Sequence, residues 1–185
     1  MKHILLGFLV TGFLTVTSAA QAQETLPAPI QYSERVSDDD PEADELYRRT
    51  LDWTDKHFAY SPKTVIRTDA SKGEIRVNGT LKVKTASNSG QLQERPVQFE
   101  FSFRTLPTGY EYNVGYFRVS PDSKKPEETI PFEEFVSQLA MERNNDRTHN
   151  DRRVTAQANS LASEIALSFR SYMNSRPAAG AVRAE

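Results

Sequence analysis

The sequence predicts an α+β fold in which helices cover one face of a curved antiparallel sheet. Two stretches alternate strictly between apolar and polar residues, which is the pattern of strands with one buried face. Turn residues that include glycine and proline separate these stretches, and amphipathic helical patterns precede and follow them. The predicted order of elements is β-α-β-β-β-β-α, because helices packed on one side of the sheet bury both apolar surfaces.

The strands are predicted from this alternation and from the turns that bound them. The first is a short strand at residues 30–36, before the first helix. The others are TVIRTDA (64–70), EIRVNGTLKVK (74–84), VQFEFSFR (97–104) and YEYNVGYFRV (110–119). A polar loop at residues 120–131 then leads to a short helix and to a long helix over roughly 151–174, whose apolar residues recur at steps of three and four.

The first helix is predicted to begin at Pro41, because Asp40 is a favoured N-cap residue and proline is favoured at the first helical position. It ends before Pro62. On a helical wheel its apolar residues share one side, which we expect to pack on the sheet. The predicted core residues are Leu46, Tyr47, Trp53, Phe58, Phe99 and Phe101.

Asp52, Asp55 and His57 surround the single tryptophan, Trp53, and raise the question of a metal or acid–base site. Around the helix His57 lies about 140° from Asp52 and about 160° from Asp55, so the three side chains do not meet on one ion. We therefore predict no metal site. We expect His57 to be partly buried on the apolar side, and the alternative is a ligand-binding or pH-sensing role.

The other charged residues of this helix are predicted to form a solvated face. An acid placed four residues before a base stabilises a helix by about 0.2–0.5 kcal/mol. The predicted pairs are Asp44–Arg48, Glu45–Arg49 and Asp52–Lys56.

The face of the sheet opposite the helices is predicted to be polar. It lacks the aromatic wedges that kink DNA, a stacking platform for single strands and the apolar lining of a small-molecule pocket. We therefore predict no nucleic-acid partner and leave open a surface for an envelope protein or a glycan, or a face that is only solvated. The predicted partner-binding residues are Arg76, Asn78, Lys82, Gln98, Arg104 and Asn113.

The beginning of the chain has the pattern of a cleavable signal peptide. Lys2 precedes a short apolar run, and Ala20-Gln21-Ala22 is the small-x-small pattern of a cleavage site. We predict a signal peptide at 1–22, a flexible leader at 23–29, one domain over 30–174 and a disordered tail at 175–185. The expected location is the periplasm or the cell surface, with no membrane span after cleavage. The chain has no cysteine, so it forms no disulfide and carries no lipid anchor on cysteine.

The sequence contains no recognisable catalytic motif. It has no G-x-S-x-G elbow, phosphate-binding glycine loop or H-E-x-x-H pair, and DDDPEADE lacks the ligand spacing of a calcium loop. We therefore expect no cofactor and predict a non-catalytic interaction module. The alternatives are a structural or accessory component of the cell envelope, and a hydrolase-type enzyme that uses His57.

The segments DELYRRTLDWTDKHF and VIRTDASKGEIRVNGTLKV resemble a bacterial family, the domain of unknown function 4468, which has a TATA-binding-protein-like fold. The resemblance extends over about 30–120. It implies this fold, an exported protein and an origin in Bacteroidetes-type bacteria, and it carries over no catalytic residue because the family has no established activity. The matching positions are Leu46, Tyr47, Trp53, Phe58, Asp69 and Gly73-Glu74-Ile75.

Overall fold

A computed structural model of the chain describes residues 27–38, 42–121, 125 and 127–175. The predicted signal peptide, the N-cap Asp40 with Pro41, most of the leader and nearly all of the predicted tail lie outside these residues.

The strands form one antiparallel sheet in the order β1-β5-β4-β3-β2, and a two-residue strand, β6, pairs with the end of β5. The strands are β1 (Tyr32–Ser37), β2 (Thr64–Asp69), β3 (Glu74–Ala86), β4 (Leu92–Leu106), β5 (Gly109–Val119) and β6 (Ile130–Pro131). The helices are α1 (Ala43–Lys56), α2 (Phe132–Met141), α3 (Asn145–Thr148) and α4 (Asn150–Asn174). The predicted α+β class is confirmed, and β6 and α3 are short elements that the sequence did not predict.

The buried residues of α1, α2 and α4 join those of the strands in one core on one side of the sheet. At its centre is a triangle of rings from three elements: Trp53 of α1, Phe101 of β4 and Phe169 of α4. Their ring centroids are 4.9 Å (Trp53–Phe101), 5.0 Å (Trp53–Phe169) and 5.0 Å (Phe101–Phe169) apart. All three side chains are fully buried. This triangle holds both helices against the same strand, as edge-to-face and tilted aromatic contacts do in protein cores.

The other predicted core residues surround the triangle. Leu46, Phe58 and Phe99 are buried, and Tyr47 is half-buried against the core. Phe58 lies over Gly79 of β3, where a Cβ atom would come within 2.8 Å of the Phe58 ring and 2.7 Å of the Phe99 ring. Glycine therefore leaves room at this position for the Phe58 and Phe99 rings.

One flank of α1 differs from the predicted charged face. Arg49 is only 9% exposed, donates a hydrogen bond to the carbonyl oxygen of Tyr172 at 2.6 Å and lies 5.2 Å from the centroid of its ring. The predicted Glu45–Arg49 and Asp44–Arg48 pairs are therefore wrong, because Glu45 instead pairs with Arg48. The helical wheel placed Arg49 on the solvated face because it describes α1 alone, and the sequence of α1 does not reveal that α4 packs against this flank. The predicted pair between Asp52 and Lys56 is present, at 2.5 Å.

Side chains of α4 cover the part of the β3 edge that β2 leaves unpaired. The pairing of β2 with β3 stops at Asn78. Beyond Asn78, the side-chain amide of Gln157 accepts a hydrogen bond from the N–H of Lys84 and donates one to its C=O, each at 2.9 Å. Asn150 does the same for Ala86, at 2.7 and 2.9 Å. These amides take the place of a neighbouring strand and satisfy an edge that would otherwise be open to association.

The β2–β3 turn is organised by Asp69. Its carboxylate accepts hydrogen bonds from the Ser71 hydroxyl at 2.7 Å, the Arg67 guanidinium at 3.0 Å and the Lys72 N–H at 3.3 Å. These bonds, that of Ser71 first, lower the pKa of Asp69 to about 2. Gly73 completes the turn with φ +62°, where a Cβ atom would collide with Thr105.

We predict that Trp53→Ala lowers the free energy of unfolding by about 3–5 kcal/mol, because it leaves a cavity in the ring triangle. Urea denaturation followed by far-ultraviolet circular dichroism measures the change. Leu167→Ala on the exposed side of α4 is the control, and we expect it to change stability by no more than about 0.5 kcal/mol. A loss below about 1 kcal/mol for Trp53→Ala would show that the triangle is not the centre of the core.

We predict that Asp69→Asn destabilises the protein near neutral pH and that this loss of stability becomes smaller as the pH falls. The folded-state pKa lies below the ordinary value of 3.8, so the ionised carboxylate stabilises the fold above about pH 4. This contribution is lost as the pH falls through about 2. Urea midpoints of both proteins between pH 2 and pH 6 test this, and an equal difference at both limits would contradict it. Ser71→Ala removes the first cause of the shift and should move the acid transition to higher pH.

Candidate functional site

The free face of the sheet, opposite the helices, forms an open trough of about 720 Å³. Every strand from β1 to β5 contributes to its lining. Because the core takes up the alternate residues on the other face, polar residues are left to form this one.

One row of the trough alternates in charge from strand to strand. Arg35 of β1 pairs in register with Glu111 of β5, Glu111 with Arg104 of β4, and Arg104 with Glu74 of β3. Arg104 forms an ion pair with Glu111 at 2.5 Å. Glu74 also lies 3.5 Å from the guanidinium of Arg67 on β2. The alternation leaves this end of the trough nearly neutral although it is rich in charge.

A second fixed pair crosses the middle of the sheet. Arg76 donates two hydrogen bonds to Glu100, at 3.0 and 2.8 Å. Glu100 is only 7% exposed, an unusual degree of burial for a carboxylate. The bidentate pairing raises the pKa of the Arg76 guanidinium and holds both planar groups in one orientation.

A β-bulge in β5 directs an aromatic ring to the rim of the trough. Gln98 pairs with Arg118 but Glu100 pairs with Gly115, so Tyr116 and Phe117 together face Phe99. Phe117 points into the core and is 2% exposed, whereas Tyr116 is 74% exposed and lines the trough. Tyr116 has φ +53°, in the left-handed region that bulky residues rarely adopt.

Beside the bulge lies an amide that its protein neighbours do not fully use. The Oδ1 atom of Asn113 is buried and has no hydrogen-bond partner within the described part of the chain. The neighbouring free-face position is Gly115, where a Cβ atom would come within 3.1 Å of the Asn113 Nδ2 atom. Glycine at this position therefore leaves room for the Asn113 amide.

The trough includes half of the residues that the sequence predicted for partner binding. Arg76, Arg104 and Asn113 line it, whereas Asn78, Lys82 and Gln98 do not. Lys82 lies farther along β3, paired with Glu94 at 2.7 Å.

Sequence reasoning missed several lining residues, among them Gln31, Ser33, Arg35 and Tyr116. The first three belong to β1 and the residue before it, whose place beside β5 depends on long-range pairing. The position of Tyr116, in contrast, is marked in the sequence of β5. Inward residues of β5 fall at even numbers up to Val114 and at odd numbers from Phe117, which marks an extra residue. The face predicted to lack an aromatic platform therefore carries one ring.

His57 is exposed at the end of α1, so the prediction of partial burial is wrong. Its ring lies 4.8 Å from that of Tyr172, whose hydroxyl donates a hydrogen bond to Asp52. Asp52 and His57 thus contact the same tyrosine. His57 lines neither the trough nor the smaller cavity of about 340 Å³ between α2 and the β3–β4 turn. In the part of the chain that the structure describes, no group of three His, Asp or Glu residues is arranged to hold a metal ion.

Within the described ranges, no helix is both long and apolar enough to cross a membrane.

Two solved structures resemble this one. A crystal structure of a DUF4468 family protein from Bacteroides ovatus ATCC 8483 has a TM-score of 0.53 and 15% sequence identity, covering 82% of this chain and 91% of its own. A TBP-like protein from Parabacteroides distasonis ATCC 8503 has a TM-score of 0.52 and 16% identity, covering 82% of this chain and 99% of its own. At these identities the likeness concerns the fold. A comparison with functionally curated proteins found no match.

The family comparison gives the same result from the sequence side. The matching family is described as a domain of unknown function (DUF4468) with a TBP-like fold, and the match extends over residues 32–120, from β1 through β5. The resemblance predicted from the α1 and β3 segments is therefore confirmed: residues 32–120 match the DUF4468 family, whose activity is unknown.

Proposed function

We propose that this protein is an exported, non-catalytic binding module of the periplasm or cell surface. Its free sheet face is the binding surface, and its partner is polar, either a protein or a glycan. The pattern of Lys2, an apolar run and Ala20-Gln21-Ala22 supports export.

The observation that carries the binding proposal is that the charged groups of the trough are held in place before any partner arrives. Arg76 and Glu100 are held by two hydrogen bonds, and Arg104 forms an ion pair with Glu111. Groups that are already ordered lose little conformational entropy on binding, which favours recognition of a polar surface.

The balance of charge in the trough favours a partner without a strong charge of its own. Acids and bases alternate along the row from Arg35 to Glu74, and a second acid, Glu100, lies at the centre. A polyanion such as nucleic acid would face these carboxylates as well as the arginines, so its electrostatic attraction would be weak.

We predict that the double variant Arg35→Glu/Arg104→Glu loses a partner that the wild-type protein retains. Both residues line the trough, and the reversals put four acids in the row that alternates in the native protein. Immobilised wild-type and variant proteins are incubated with envelope extract of the producing bacterium, and captured proteins and glycans are quantified by mass spectrometry. We expect at least a tenfold loss for the principal partner.

The matched control for this experiment is Arg48→Glu, which reverses an exposed arginine of α1 on the opposite side of the protein. It should capture the same partners as the wild type. Circular dichroism establishes that all variants are folded. Identical capture by the double variant and the wild type would refute binding through this face.

We predict that the mature protein begins at Gln23 and is found outside the cytoplasm. Intact-mass measurement of the chain recovered from periplasmic and surface fractions tests both statements. A chain that starts at Gln23 by design, without residues 1–22, is the control and should stay in the cytoplasm. Recovery of the unprocessed chain from the cytoplasm alone would contradict the proposed location.

A further inference from the structure

We propose that Tyr116 is a stacking platform for a neutral sugar ring, with Asn113 and the Arg76–Glu100 pair as hydrogen-bonding partners of its hydroxyl groups. This inference rests on the proposed binding function of the free face and names the class of ligand.

The backbone of Tyr116 has a conformation that disfavours a bulky side chain. With φ +53° the residue occupies a conformation in which glycine or asparagine is favoured over a bulky side chain. The ring is 74% exposed, so it recovers little of this strain through burial. Tyrosine is thus strained at this position and contributes little to the core. Because such strain concentrates at functional sites, it indicates a functional role for the ring.

The ring of Tyr116 lies beside the polar groups of the trough. Tyr116 lines the same trough as Arg76 and Asn113. Glu100, which holds the Arg76 guanidinium through two hydrogen bonds, lines the trough as well. The aromatic face and the polar groups therefore border one space.

The polar groups around that space suit hydroxyl groups. Asn113 lines the trough, its amide carries both donors and an acceptor, and the acceptor has no partner among the residues described. The guanidinium of Arg76 and the carboxylate of Glu100 are planar, adjacent and fixed. A sugar presents C–H groups on the faces of its ring and hydroxyls around its edge. The electron-rich face of an aromatic ring attracts the former, and planar donors and acceptors bind the latter.

The same surface is poorly suited to a peptide. Peptides that bind sheets do so at an edge, where backbone groups are free, or by inserting apolar side chains into pockets. The trough crosses the middle of the sheet, where neighbouring strands already use the backbone groups. Of the large apolar side chains exposed on the described part of the protein, Tyr116 is the one that lines it. A surface with one exposed flat ring and no apolar pocket therefore favours a sugar over a peptide as its ligand.

The test uses wild-type protein, Tyr116→Phe and Tyr116→Gly, with a panel of soluble neutral tetrasaccharides of glucose, xylose, mannose and N-acetylglucosamine. Saturation-transfer NMR detects binding, and isothermal titration gives affinities. We expect at least one tetrasaccharide to bind wild type and Tyr116→Phe within about threefold of each other. Tyr116→Gly should bind at least tenfold more weakly while it remains folded by circular dichroism, since glycine adopts the backbone conformation of this position without strain.

Leu92→Ala is the matched control, because Leu92 is also a large exposed apolar residue but lies outside the trough. It should leave sugar binding unchanged. Failure of every tetrasaccharide to bind wild type would overturn the proposal, as would equal binding by Tyr116→Gly.

The outcome also separates this proposal from the function on which it rests. If a protein partner is lost on Arg35→Glu/Arg104→Glu while no tetrasaccharide binds, the free face is a binding surface and the sugar assignment is wrong. If neither a partner nor a sugar distinguishes the variants, both proposals fail.

Discussion

The packing of Trp53 against Phe101 and Phe169 is the contact on which the rest of the structure depends. It joins α1, β4 and α4 at ring-centroid distances of 4.9 to 5.0 Å, so both helices are held on one side of the central strand. All of the large apolar burial follows on that side. The alternate residues of the strands lie on the opposite side, where they are mostly polar and form pairs such as Arg76–Glu100.

The bulge in β5 connects this core to the free face. Phe117 must point inward to stack on Phe99, with ring centroids 5.8 Å apart, and Val119 must follow it into the core. Val114 is also buried, so the inward positions on either side of the bulge are out of phase by one residue. The extra residue is Tyr116. The bulge that returns Phe117 and Val119 to the core also turns the Tyr116 ring toward the trough. Core packing and the candidate site are thus consequences of the same irregularity.

Predictions from the sequence were best where a pattern repeats and weakest where distant parts of the chain meet. The alternation in β3 and β4 located the inward residues, because successive side chains of a strand point to opposite faces. The wheel of α1 placed Trp53 in the core but misplaced Arg49, because the wheel describes one helix and Arg49 is buried by a second one, α4. Half of the predicted partner-binding residues line the trough; those that do not, such as Lys82, lie on the same face but beyond its end.

The sequence by itself determined the α+β class, the order of the main elements and the aromatic residues of the core, because these follow from local periodicity and from turns between neighbouring elements. Only the tertiary structure decided which strand lies beside β1, and so brought Arg35 next to Glu111. It also decided that α4 covers Arg49 and the open edge of β3, and that Tyr116 faces the trough. These contacts join residues far apart in the chain, and no local pattern specifies which distant residues come together.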